Sequence, residues 1–74
     1  MPEHTDWELM AANILKAELK RKDVTYSQLV EKLAALGISE KEVNVRNKLS
    51  RGKFTAAFLI QCLSAIGVTA LQLG

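Results

Sequence analysis

The stretch Ser39-Glu40-Lys41-Glu42-Val43-Asn44-Val45-Arg46-Asn47-Lys48-Leu49-Ser50-Arg51-Gly52-Lys53-Phe54 decides how this chain is read, because it combines helix punctuation with an uneven distribution of charge. Ser39 followed by Glu42 has the spacing of a capping box, in which the hydroxyl serves the N3 amide and the carboxylate returns to the Ser amide. Ile38 and Val43 are spaced as a hydrophobic staple across that cap. At the other end Gly52 suits the left-handed conformation that closes a helix, with Lys48 and Arg51 near the last carbonyls. The predicted helix spans about 40–51. Advancing about 100° per residue puts Val45, Leu49, Glu42, Arg46 and Ser50 on one arc and Glu40, Lys41, Asn44, Asn47, Lys48 and Arg51 on the other. The second arc has no apolar residue. Its amides can pair with adenine edges and its cations with guanine edges or phosphates, although any surface helix also needs a polar face.

Working outward, the charge distribution carries more than its sum. From Lys41 to Lys53 there are five cations against one anion, a local +4 in a chain whose net charge is +2, so the remainder carries −2. A second basic cluster, Lys20-Arg21-Lys22, closes the first predicted helix, partly offset by Asp23. That helix is expected over about 6–21, behind a Thr5/Glu8 capping box and after a disordered lead-in at 1–4. Its apolar face reads Trp7, Met10, Ala11, Ile14, Leu15 and Leu19, with Trp7 as a core or interface anchor. Glu18 falls inside that arc, either snorkelling to its edge or pairing with an Arg of the third helix.

Val24-Thr25-Tyr26-Ser27-Gln28-Leu29 repeats the start signal, with Thr25 and Gln28 as capping box and Val24 and Leu29 as staple, for a helix over 26–36 that stops at Gly37. Only Ile38 separates this Gly from the Ser39 cap. So short a connection predicts a steep crossing of the second and third helices, the geometry of a helix-turn-helix. Thr55 caps a fourth helix over 56–66, with Phe54 and Leu59 as staple, and this helix is apolar on almost every side. It is expected to be the spine of the core, or core on one side and subunit contact on the other. Gly67 ends it. Beyond Thr69 the chain has either a last helical turn over 70–73 or a short extended tail, and Leu71 and Leu73 need cover in both cases.

The 74 residues are expected to form a single all-α domain over 1–74, a compact bundle of four to five short helices. One cysteine excludes an internal disulfide and no Cys/His cluster offers a metal site. No cofactor and no catalytic residue are expected: His4 stands alone, Cys62 lies in the most apolar helix, and Gly37, Gly52 and Gly67 read as caps and not as a phosphate loop. The absence of a spanning apolar run and of a leader predicts a soluble, cytoplasmic protein, and the basic clusters share no helix with an exposed aromatic stripe that would favour a membrane.

Leu15 to Leu19, Val24 to Leu33, Leu49-Ser50-Arg51-Gly52-Lys53 and Leu59 to Val68 together resemble the phage-repressor (Cro-like, XRE-type) helix-turn-helix family over most of the chain from Ile14 to Leu73. Asn47-Lys48-Leu49-Ser50-Arg51-Gly52-Lys53-Phe54 with Gln61-Cys62 also resembles a small bacterial domain family with no assigned function. The first resemblance implies a third helix lying in the major groove of double-stranded DNA. It implies base-reading candidates Lys41, Asn44, Asn47 and Lys48, and phosphate contacts from Tyr26, Ser27, Arg51 and Lys53. Two departures stand out. The span from Leu29 to Gly52 is about six residues longer than the family spacing, and Ser50 occupies a position that is acidic in the family. Glu18 with Arg46 or Arg51 is the expected replacement for that missing ion pair. The function this predicts is a sequence-selective DNA-binding module of a bacterial or phage-type transcriptional regulator, a homodimer through helix 56–66 and the C-terminal tail. The alternative is a helical protein-interaction or oligomerisation domain that keeps the shape without binding DNA.

Overall fold

The computed structural model describes the backbone of residues 3–71 and 73 and the side chains of residues 7–71 and 73. Four helices are formed, α1 (Glu3–Arg21), α2 (Tyr26–Ala35), α3 (Glu42–Arg51) and α4 (Ala56–Ala65). α1 packs on α3 and α4, and α2 packs on the same two helices, while the backbones of α1 and α2, and of α3 and α4, stay farther apart. The helices therefore alternate around one core in the order α1, α3, α2, α4, which leaves α3 and α4 diagonally opposed. The core consists of Leu15 and Leu19 of α1, Leu29 and Leu33 of α2, Val45 and Leu49 of α3, and Phe58, Cys62, Leu63 and Ile66 at α4. Each pair is three or four residues apart, the spacing that puts side chains on one face of a helix.

Three helix ends close in the same way. After α2, Gly37 N–H donates to the Ala34 carbonyl and Ile38 N–H to that of Leu33; after α4, Gly67 and Val68 do the same to Ser64 and Leu63. These are Schellman ends, each turned by a left-handed residue and followed by an apolar one. α1 ends likewise, with Asp23 and Val24 bonded to Lys20 and Leu19, and here the left-handed residue is an aspartate at φ 57°. The starts of α2 and α4 are those expected. Thr25 Oγ1 accepts from Gln28 N–H at 3.1 Å while Gln28 Oε1 accepts from Thr25 N–H at 2.9 Å, and Thr55 Oγ1 accepts from Phe58 N–H at 3.0 Å.

Several expectations need correction. α1 starts at Glu3, ahead of the predicted start at about 6, so Thr5 lies within the helix; its side chain is outside the described residues, as are Met1 and Pro2 of the expected disordered lead-in. Met10 is exposed and not core, and of the two alternatives for Trp7 the core one is excluded by its exposure, because the buried side of α1 runs through Ala12, Leu15 and Leu19. α2 and α4 each end one residue early, their last residues being taken into the Schellman turns. α3 starts at Glu42 with Lys41 as N-cap and no side-chain cap, so the Ser39/Glu42 capping box does not form. The connection between α2 and α3 consequently runs over 36–41 and not through Ile38 alone. Ile38 packs on the core but Val43 is exposed, so that staple is absent too. α4 is buried on one side only, with Ile60 facing out. No helical turn forms in the described part of 70–73; Gln72 and Gly74 lie outside the described residues.

Candidate nucleic-acid interface

α3 is anchored by Val45 and Leu49, both fully buried. At about 100° per residue the direction opposite to that pair falls on Asn47, flanked by Val43 and Arg51, with Asn44 and Ser50 next out. All five are exposed. This face holds two amides, a guanidinium, a hydroxyl and one uncovered aliphatic side chain, a set that can address adenine edges, guanine or phosphate, and a thymine methyl. The sequence reading missed Val43 and Ser50. In the sequence Val43 reads as half of a staple, which does not form, so its angular position is the one signal that points to this face.

The other candidates are differently placed. Glu40, immediately before α3, is nearly buried, its side chain 12% exposed. Its carboxylate accepts from Lys48 Nζ at 2.8 Å, from Asn44 Nδ2 at 3.4 Å and from Lys41 N–H at 3.3 Å. Two residues expected to read bases are therefore held by one carboxylate. Lys48 is further fixed by lying over the Phe58 ring, 4.4 Å from its centroid, a cation–π contact that bridges the diagonal between α3 and α4. The bond from Lys48, set against the opposing effect of burial, keeps the Glu40 carboxyl below its ordinary value of 4.5. The same neighbourhood contains Cys62, whose burial pushes its thiol up to about 12, an inert state for a cysteine.

Two more of the cations are occupied. Arg46 pairs with Glu42 at 2.7 Å one turn earlier, and Lys53 pairs with Glu8 of α1 at 3.1 Å, tying the loop after α3 to the first helix. The expected bridge from Glu18 to Arg46 or Arg51 is absent. Glu18 instead bonds Arg21 on its own helix, because the local partner lies one turn away on the same face. Of the five cations between 41 and 53, only Lys41 and Arg51 have no ion-pair partner among the described residues.

Tyr26 and Ser27 stand apart from this cluster. Ser27 is exposed at the start of α2, while half-buried Tyr26 lines a shallow groove of about 280 Å³ with Lys16, Leu19, Lys20, Val24 and Thr25. No α3 residue lines it. Two lysines beside a phenol suit an anion, but the groove and the α3 face are separate surfaces.

The family described as Domain of unknown function (DUF6471) matches residues 7–71, so this chain belongs to it, in keeping with the expected likeness to a domain family without an assigned activity. No curated protein and no solved structure matches the chain. Among the described residues no helix is long and apolar enough to cross a membrane.

Proposed function

We propose that this member of the DUF6471 family is a sequence-selective duplex-DNA-binding module of a cytoplasmic transcriptional regulator, related to the phage-repressor helix-turn-helix proteins, with α3 as its reading element. The observation that supports this most is the outer face of α3. Asn44, Asn47, Ser50 and Arg51 are exposed together beside Val43, on a helix held rigidly by Val45 and Leu49. In this reading Asn44 and Asn47 discriminate bases, Arg51 and Lys41 meet guanine or phosphate, and Lys48 positions the helix through Glu40 and Phe58. Ser27, Tyr26 and Lys53 contribute to backbone contact. A protein-interaction role is the second reading. It is favoured by the three cations already neutralised by Glu8, Glu40 and Glu42.

The charge pairing sets a quantitative expectation. If Lys41 and Arg51 alone displace counterions, the logarithm of the binding constant falls with the logarithm of salt at a slope of about −2 per copy, and at about −4 or steeper if all three pairs open onto phosphate. A duplex enriched from a random library, followed by fluorescence anisotropy, should show a slope in this range. Asn44→Ala with Asn47→Ala should lower the preference for that duplex over mixed sequence by about 10-fold or more at unchanged helix content. Absence of duplex binding at about 50 mM salt, or undiminished preference in the double variant, contradicts the proposal.

A further inference from the structure

We infer that the apolar seam between α1 and α4 is the docking surface for a second copy of this chain. Trp7, Met10, Ile14, Leu59, Leu71 and Leu73 line a groove of about 250 Å³ there. Leu71 also lines a neighbouring groove of about 300 Å³ with Ile60, Leu63 and Val68, so the two are one continuous strip. Trp7 is 66% exposed, Leu73 66% and Ile60 62%. Taking an aromatic side chain at about 150–250 Å² and an aliphatic one at somewhat less, the uncovered parts of Trp7, Met10, Ile60, Leu71 and Leu73 come to about 500 Å² per copy. That is near the upper end of what a monomer ordinarily exposes in one patch. Two such patches face to face bury about 1,000 Å², the lower bound of a specific interface and the range of a reversible dimer.

The chemistry of the strip favours self-association. Among the described residues no charged side chain lines either groove, so the grooves themselves bring no like charges together when two copies meet about a two-fold axis. Projecting Trp7 and Leu73 lie beside the concave surface they would fill on the partner, as a self-complementary contact requires. The basic cluster at Lys20-Arg21-Lys22 is at the other end of α1, away from the strip, so an anionic membrane surface would find no cations there. Because α4 is diagonal to α3, docking on this seam leaves the outer face of α3 uncovered in both copies. The surface is broader than a contact through helix 56–66 and the C-terminal tail, since it also draws on the N-terminal turns of α1.

The chain contains one tryptophan, and it lies in this surface, so its fluorescence reports the contact directly. Sedimentation of the 74-residue chain across a concentration series from micromolar to near-millimolar should show the mass rising from one copy to two, with Trp7 emission moving to shorter wavelength in step. Ile60→Glu and Leu73→Glu, both exposed and so compatible with folding, should each weaken self-association at least tenfold, while Leu36→Gln, on an exposed residue that lines neither groove, should not change it. A single-copy mass throughout overturns the inference. So does a dimer with unchanged Trp7 emission, or one broken by Leu36→Gln and not by Ile60→Glu. No DNA enters the measurement, so its outcome is independent of the reading of α3.

Discussion

Gly52 is the residue whose identity is most constrained by the fold. It closes α3 at φ 70°, and a Cβ added there would stand 2.5 Å from the Glu8 carbonyl oxygen and 2.7 Å from its carbon, backbone atoms that cannot swing aside. Gly67 has a similar φ of 79° but open space around it. The two sites separate backbone strain from collision. Gly67→Ala should destabilise by about 1 kcal/mol, whereas Gly52→Ala adds the displacement of α1 and should cost about 3 kcal/mol, read from urea unfolding midpoints. Equal effects at both positions would contradict the close approach of α3 to α1. The sequence identified both glycines as helix ends, but nothing local could reveal that one of them touches Glu8. Asp23, the fourth left-handed residue, was legible only as a charge beside Lys20-Arg21-Lys22. Aspartate tolerates that conformation well enough to stand where glycine is usual, and so hides the signal.

At the scale of the element, start signals succeeded or failed according to whether a tertiary partner intervened. Thr25 and Thr55 cap their helices as the local pattern requires. Ser39 carries the same pattern and does not, because Glu40 is committed to Lys48 eight residues on and takes the Lys41 amide with it, so α3 begins only at Glu42. Glu40 is thus the pin that fixes the turn before α3, and its chemistry gives a pH dependence with a definite sign. Its carboxyl is held below the ordinary value of 4.5, so the ionised form stabilises the fold; this contribution is complete above about 4.5 and is lost as pH falls through the lowered native value. Glu40→Gln should be less stable than the native chain by about 1 kcal/mol at pH 7. In denaturant titrations the difference should shrink as pH falls below the ordinary carboxyl value of 4.5 and close once the Glu40 carboxyl is protonated in the folded chain. A gap that persists unchanged into acid would show that Glu40 acts by shape and not by charge.

For the whole molecule, the alternation of α1, α3, α2 and α4 puts α3 and α4 on opposite corners of the bundle, so the polar face of α3 and the apolar seam of α1 and α4 are separate surfaces. Four helices and their approximate bounds could be read from periodicity and punctuation. The pairing of the cations could not, since Lys53 finds Glu8 across 45 residues and only the folded chain brings them within 3.1 Å. Likewise the amphipathic arc of α1 left Trp7 open between core and interface, because the arc does not say which part of it the other helices cover; in the fold that part is Ala12, Leu15 and Leu19. The proposed role of this chain rests on whether the outer face of α3 meets duplex DNA. Backbone and side-chain amide resonances of the ¹⁵N-labelled chain, titrated with mixed-sequence duplex at about 50 mM salt and again at about 200 mM, address this residue by residue. DNA recognition by α3 predicts shifts concentrated at 41–53, including the side-chain amides of Asn44 and Asn47, which retreat at the higher salt. An unchanged spectrum, or shifts confined to Trp7, Ile60 and Leu71 on the apolar seam, would contradict DNA recognition by α3.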